Sequence, residues 1–274
     1  MNPQRLRQRA AIIRALRGWF DQHGYLEIHT PVIVDSPALE EHLEAVPVGQ
    51  QFLHTSPEFA MKRVLASGLC RIYQIGPCFR EEEVGVHHAR EFTMLEWYRA
   101  GAGTAELMDD VESIISTAAV AIGLPALTLS RRTVDSLRAE AGLQDTLNEV
   151  EWFRGWVEKV EPALLEPTIV YNYPTWQAAL ARERNGSADR FEVYLGGIEI
   201  ANCFAEEGCA DTLRQRFEQS NAKRRAMDRT PHPVDEPLLA ATPTMPRCAG
   251  IAMGIERLVM ALTGAENIAD VQVR

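Results

Sequence analysis

The stretch RFEVYLGGIEIANCFAE, residues 190–206, holds two alternating runs separated by the pair Gly196-Gly197. Two glycines between alternating runs are a strong signal for a two-residue β-hairpin turn. Such a turn predicts Leu195 opposite Ile198, Tyr194 opposite Glu199 and Val193 opposite Ile200. Phe191, Val193, Leu195, Ile198 and Ile200 then share an apolar face, while Glu192, Tyr194 and Glu199 share the other. The two carboxylates become diagonal neighbours within reach of one divalent ion. Taken alone, the hairpin reads first as a sheet with one solvated face. Two acids on a rigid sheet with spare coordination positions also suit Mg²⁺ carried by a polyphosphate.

Upstream, residues 79–98 predict a second hairpin whose outgoing strand ends Phe79-Arg80-Glu81-Glu82. On its return strand Phe92, Met94, Glu96 and Tyr98 share one face and Glu91, Thr93, Leu95 and Trp97 the other. A ring, a carboxylate and a phenol together are odd for a core. They suit a site that stacks a base and grips an ammonium group. The connecting loop carries His87 and His88, a pair without the partners that a metal site needs. Downstream, Gly250-Ile251-Ala252-Met253-Gly254-Ile255-Glu256-Arg257-Leu258 predicts a strand entering a helix through a glycine. Arg257 then sits in a first turn, a place unfavourable for a cation unless an anion such as phosphate is present.

The remaining segments frame these three. Residues 4–22 predict a helix with Leu6, Ala10, Ile13, Leu16 and Phe20 on one stripe and Gly24 after it. A strand is expected over 25–34, ending at Thr30-Pro31, and a helix after Ser56 with Pro57 at its first position and Gly68 closing it. Residues 69–80 and 90–99 are the hairpin strands. Helices over 104–122, 130–142 and 147–160, with Thr104 and Ser130 as N-caps, form an expected insertion at about 104–162. A strand at 168–172, helices at 211–228 and about 235–241, a strand near 248–253 and a helix from about 255 to Leu262, with Gly264 at its end, complete the pattern. The expected architecture is α+β, an antiparallel sheet flanked by helices, within a single domain over 1–274.

Bulk properties narrow the function classes. Apolar residues are 46% of the 274, enough for a sizeable core. Runs such as Ile198–Phe204 and Leu258–Leu262 are too short to span a bilayer, so no membrane association is expected. A formal charge of −10 opposes a large sequence-independent nucleic-acid surface. Cys70, Cys78, Cys203, Cys209 and Cys248 lack zinc-knuckle spacing and suit reduced thiols in a cytoplasmic protein.

Taken together, the three elements resemble the signature of the class II aminoacyl-tRNA synthetase catalytic core. Gly24-Tyr25-Leu26-Glu27-Ile28 through Thr30-Pro31 resembles motif one, Phe79-Arg80-x-Glu82 with His88 and Phe92 motif two, and the strand ending at Arg257 motif three. Thr55-Ser56-Pro57-Glu58 with Lys62-Arg63, Glu91 through Tyr98, and Arg190-Phe191-Glu192 through Glu199-Ile200-Ala201-Asn202 resemble lysyl-tRNA synthetase. No alternating barrel strands precede the first helix, so anticodon recognition is not expected. That combination is similar to the elongation factor P lysine ligases, paralogues that attach (R)-β-lysine through an adenylate to a lysine of elongation factor P. Ser56 and Ala252 match the ligases, where the synthetase pattern has Ala and Gly.

What the resemblance implies is ATP and Mg²⁺ as substrate and cofactor, lysine or β-lysine as the amino acid, elongation factor P as acceptor, and a homodimer. Arg80 is implied to hold the substrate carboxylate and α-phosphate. Glu82, the loop at His88 and Ala89, and Ile200 beside Glu199 are implied to contact ATP, with Phe92 stacking on adenine. Arg257 would cover the other face and the γ-phosphate, Gly254 would allow close approach, and Glu192 and Glu199 would hold Mg²⁺. Ser56 and Glu58 would face the substrate amino group, and Glu96, Tyr98 and Glu206 the ε-ammonium. Asn202 would lie near the carboxylate, and Ala252 would shape the pocket. Strict alternation puts Asn202, Phe204 and Glu206 on the apolar face, so the roles of Asn202 and Glu206 require a bulge. Three features depart from the family pattern: His88-Ala89-Arg90 for His-Asn-Pro, Glu256 for Asp, and a short insertion with the chain stopping at Arg274, which bears on acceptor docking. A lysine-activating enzyme with tRNA or a small amine as acceptor, and a non-catalytic lysine- or ATP-binding regulator, are the alternatives.

Overall fold

A computed structural model describes residues 2–82, 84–144 and 148–273. The chain runs α1 (Pro3–Gln22), β1 (Leu26–Glu27), β2 (Ile33–Val34), β3 (Pro47–Val48), β4 (Gln51–Leu53), α2 (Glu58–Ala66), β5 (Arg71–Phe79) and β6 (Glu91–Ala100). It continues through α3 (Thr104–Ala121), β7 (Ser130–Thr133), α4 (Val134–Glu140), α5 (Glu149–Gly155), β8 (Thr168–Pro174), β9 (Glu183–Arg184), β10 (Ser187–Leu195) and β11 (Ile198–Ala205). α6 (Ala210–Ala226), α7 (Glu236–Ala241), β12 (Cys248–Gly254) and α8 (Ile255–Thr263) complete it.

Among the described residues one sheet has nine strands, ordered β1-β5-β6-β12-β11-β10-β8-β7, with β9 beside β10. Its middle, from β5 to β8, is antiparallel as expected, while β1 and β7 add parallel edges. One face is closed by α1, α3 and α8, whose Leu16, Phe20, Ile115, Leu258 and Val259 pack on Leu95, Trp97, Ile251, Met253 and Phe191. Each such large apolar side chain contributes about 1.5–3 kcal/mol by leaving water. The other face is left for α2, α6 and α7 at one end and for a cleft over the central strands.

Gly196 and Gly197 hold φ of 61° and 78°, the conformation that a two-residue turn demands and that a side chain resists. Leu195 pairs with Ile198 and Tyr194 with Glu199, as alternation predicts. The next pair corrects the expected register: Val193 lies opposite Ala201, not Ile200, because a bulge falls between Val193 and Tyr194. The extra residue on β11 leaves Ile200 and Ala201 both buried and brings Asn202 opposite Glu192. That single residue supplies the phase change that Asn202 and Glu206 required.

Several local expectations are corrected. Residues 25–34 are not one strand: β1 joins the large sheet and β2 a separate three-stranded sheet, with Pro31 between them lacking a ladder donor. Thr30 instead donates its N–H to the Gln74 side chain at 2.7 Å. Pro57 is the N-cap of α2 rather than its first residue, and the Ser56 hydroxyl accepts the Glu58 N–H at 3.1 Å. Gly103, not Thr104, caps α3, while the Thr104 hydroxyl donates to Asp189. Ser130 opens the strand β7 rather than a helix, so the insertion is not wholly helical; α4 is capped by the Thr133 hydroxyl. The expected helix over 147–160 begins on a residue outside those described; Asn148 caps α5, which passes into a π turn at Trp156–Val160. Gly264, left-handed at φ 63°, ends α8 as expected.

Candidate active site

Registered neighbours across four strands build the floor of the cleft. Glu96 on β6 pairs with Ala252 on β12, Ala252 with Asn202 on β11, and Asn202 with Glu192 on β10. One pleat further along lie Tyr98, Gly250, Phe204 and Arg190 in the same order. Residues i and i+2 share a face, so these two rows face the same side. The central strand presents only Gly250, Ala252 and Gly254 there, which keeps the floor low. A cavity of ≈ 330 Å³ opens above it.

Among its walls are Ser56, Glu58, Arg80, His88, Ala89, Phe92, Glu96, Tyr98, Glu199, Ile200, Asn202, Glu206, Ala252, Gly254 and Arg257. Residues from all three sequence elements therefore meet in one place. Two expected members stand apart from that wall. Glu82 is exposed and pairs with Arg229 at 2.8 Å. Glu192 lies behind the wall, where Arg190, Tyr173 (2.5 Å) and Tyr194 (2.6 Å) all donate to its carboxylate.

One end of the cavity is acidic. Lys62, 2% exposed, lies 2.6 Å from Glu58 and 2.5 Å from Glu206. Glu96, 1% exposed, accepts from Ser56 and Tyr98, each at 2.7 Å. Burial, reinforced by the Glu58 charge, pushes Glu96 up to about 7. Glu206 is pushed up to about 8, again by burial first, with Lys62 pulling the other way. Burial opposes the Lys62 ammonium, but Glu206 and Glu58 more than offset this and hold it above its ordinary value. Three acids surround one base. Removing a carboxylate from water without a partner costs several kcal/mol, so stability alone does not explain this surplus. The surplus has the chemistry to pair with a second cation.

The opposite end is basic and aromatic. Arg257, in the first turn of α8, donates to the carbonyls of Glu199 (3.1 Å) and His87 (3.3 Å), and its Nη2 lies 2.6 Å from the His88 ring. These contacts fix a guanidinium at the cleft wall. The Arg80 guanidinium sits 5.0 Å from the Phe92 ring centroid, covering one face of that ring. A Cβ built on Gly254 meets nothing closer than 3.8 Å, so that glycine leaves space in the cleft rather than for the chain. Glu256, where the family pattern has Asp, is buried and holds Arg9 (3.0 Å) and the Thr93 N–H (2.8 Å), tying α1 to β6 behind the site.

Glu199 keeps 37% of its side chain exposed toward the cleft, yet burial of its carboxylate and the Glu192 charge push it up to about 7. Its nearest cationic atom is an Arg257 nitrogen at 3.9 Å. Glu199 at the cleft, with the Glu192 charge behind it, is an acidic pair of the kind that suits a divalent cation carried by a polyphosphate. Among the described residues no group of three His, Cys, Asp or Glu could hold a metal by itself.

Three residues had no role in the sequence reading. Lys62 was visible as a charged residue at i+4 from Glu58, but not as buried. Arg190 donates to Glu192, to Asn202 (3.0 Å) and to the Gln177 carbonyl (3.0 Å), so it sets the bulged strand against β10. Gly250 is required by close approach: a Cβ there would lie 2.2 Å from the Tyr98 ring and 2.8 Å from Glu206.

An antiparallel sheet carrying an arginine-lined cleft next to an acidic pocket is the arrangement of a class II synthetase core. The family model for tRNA synthetases class II (D, K and N) matches residues 2–273. A protein named elongation factor P–(R)-β-lysine ligase from Vibrio vulnificus (strain YJ016) is 38% identical over 98% of this chain and 94% of its own length. Proteins of the same name from Photorhabdus laumondii and Sodalis glossinidius are 37% and 38% identical, each over 97% of this chain and 93% of theirs. The chain belongs to this ligase family within the class II synthetases. The Vibrio alignment runs over 306 positions against 274 residues here, so some of the relative's positions have no counterpart in this chain.

Proposed function

We propose that the protein activates (R)-β-lysine, or lysine, with ATP and transfers it to a lysine side chain of elongation factor P. The observation that carries this is the buried acidic surplus of Glu58, Glu96 and Glu206 around Lys62, facing the cavity that Arg80 and Arg257 line. The relatives' shared name supports the choice of amino acid and acceptor.

In the first step a substrate carboxylate oxygen attacks the α-phosphorus of ATP, an acyl-adenylate forms and diphosphate leaves. Arg80 holds the carboxylate and the α-phosphate as negative charge gathers between them. Arg257 and the His88–Ala89 loop hold the nucleotide, with Phe92 offering its uncovered face to adenine and Ile200 beside Glu199 completing the wall. Glu192 and Glu199 would hold Mg²⁺, which would supply neutralisation of phosphate charge. At the far end Glu96, Tyr98 and Glu206 receive the ε-ammonium. Ser56 and Glu58 face the other amino group, Asn202 lies near the carboxylate, and Ala252 limits the floor. In the second step the deprotonated acceptor amine attacks the acyl carbon, an amide bond forms and AMP leaves. No side chain need become covalently attached; positioning and fixed charge lower the barrier.

We further place the whole chain in one catalytic domain with an insertion at about 104–162, and assign a homodimer through the Thr30–Pro31 region. Cys70, Cys78, Cys203, Cys209 and Cys248 are all free thiols, which fits the cytoplasm. Among the described residues no helix is long and apolar enough to cross a membrane. Incubating the protein with ATP, Mg²⁺, (R)-β-lysine and its cognate elongation factor P should add one lysyl mass to a single lysine of the factor. An unmodified factor, with the amino acid adenylated, would move the acceptor to tRNA or a small amine. Light scattering tests the dimer.

A further inference from the structure

Residues 38–44 belong to no helix or strand, yet Ala38, Glu40, His42 and Leu43 form part of the cleft wall. Backbone carbonyls outside a helix or sheet need other partners. Arg224, at the C-terminal end of α6 and 1% exposed, supplies them. Its Nη1 donates to the carbonyl of Leu43 at 2.8 Å and approaches those of Glu41 and Glu40 at 3.3 and 3.4 Å. Its Nη2 meets both carboxylate oxygens of Glu44 at 2.8 and 2.9 Å, and its Nε donates to Thr230 at 2.8 Å. Glu44 also accepts from Arg229 at 2.8 Å, and its carbonyl takes the Glu81 N–H at 2.8 Å, beside Arg80. One buried guanidinium therefore fixes a short irregular wall and links it to the loop that carries Arg80.

That wall holds an uncommitted acid. Glu40 is exposed on the cleft side, in the electrostatic field of Arg80, Glu58 and Arg190. A lysine-type substrate brings two ammonium groups. Glu96, Tyr98 and Glu206 take one; Ser56 and Glu58 face the other, but one Glu58 oxygen is already engaged by Lys62. The second ammonium lies close to the reacting carboxylate, hence near Arg80, where Glu40 lines the same cavity. We propose that Glu40 is a specificity-determining residue that receives this second ammonium, and that Arg224 is the positioning residue that acts through it. This rests on the adenylation of a diamino acid put forward above.

The test compares lysine with 6-aminohexanoic acid, which keeps the carboxylate and ε-ammonium but lacks the second amine. Binding of each to the full-length protein is measured by calorimetry, and pyrophosphate exchange is measured alongside. Glu40→Gln should weaken lysine about 10- to 100-fold more than it weakens 6-aminohexanoic acid, the loss expected for one charge-assisted hydrogen bond. Arg224→Lys should shift the same ratio in the same direction, with the KM for ATP little changed. Glu44→Gln, which removes only the carboxylate partner, replaces Arg224→Lys if that variant does not fold. Equal weakening of both ligands, or no change in the ratio for Glu40→Gln, overturns the proposal. Wild-type protein that binds lysine in this ratio but shows no exchange would instead overturn the adenylation reading.

Discussion

Lowering the pH from 8.5 to 6.0 should weaken lysine binding by roughly two to three orders of magnitude. The buried acids set that figure. Without ligand, Glu206 holds its proton up to about pH 8 and Glu96 up to about pH 7, burial being the main cause in both. An incoming ammonium is stabilised only by ionised carboxylates, so each proton must leave first. The ammonium itself, with an ordinary pKa near 10.4, stays charged throughout. Below pH 8 each unit then costs about tenfold if Glu206 alone must ionise, or about 100-fold at pH 6. Ionisation of Glu96 as well adds about another tenfold between pH 7 and 6. The acids share Glu58 and Lys62 as neighbours, so the cluster titrates as a unit and the curve reports the group. Calorimetry at several pH values, in two buffers of different ionisation enthalpy, gives affinity and proton count together. Affinity that is flat from pH 6 to 8.5, with no proton released, would refute the reasoning.

The same groups affect the ligand-free fold with a defined sign. Their folded pKa values lie above the ordinary 4.5, so the folded chain binds more protons than the unfolded one between those limits. Their contribution is full below about pH 4.5 and is lost as pH rises through about 7 to 8. Glu206→Gln should therefore melt closer to wild type at pH 5.5 than at pH 8.5, where it should gain; equal differences at both values would contradict this. Gly250→Ala puts a Cβ 2.2 Å from the Tyr98 ring and should cost about 1–3 kcal/mol. The melting temperature should then fall by about 2–12 °C, with lysine binding weakened as Tyr98 and Glu206 shift. Ser56→Ala removes an acceptor of the Glu58 N–H and a donor to Glu96. It should cost about 1 kcal/mol of stability and displace the pH dependence of lysine binding upward, read from the same calorimetric curve.

Alternation and turn chemistry made much of the site legible before any coordinates. The faces carrying Glu96 with Tyr98 and Glu192 with Glu199 depend on a period of two, and Gly196-Gly197 fixed where the count starts. The bulge at Ile200–Ala201 was legible only as a requirement, because an inserted residue on a strand has no composition of its own. Ser130 reads as an N-cap because a hydroxyl residue before an amphipathic stretch suits one; in the structure Thr133 caps the helix and Ser130 starts an edge strand. Ser56 shows why competing readings need not exclude each other, since its one hydroxyl both accepts from α2 and donates to Glu96. Lys62, Arg190 and Arg224 carry no role in the sequence reading for a common reason. A buried charge is set by partners far away in sequence, as Arg224 is by Glu44 at a separation of 180 residues.

Pyrophosphate exchange across a panel of amino acids tests most directly whether this cleft adenylates a lysine-type substrate. With saturating ATP and Mg²⁺, (R)-β-lysine or α-lysine should drive exchange, glutamate should not, and Arg257→Ala should abolish it. No exchange with any lysine isomer, or equal exchange with glutamate, would contradict the account.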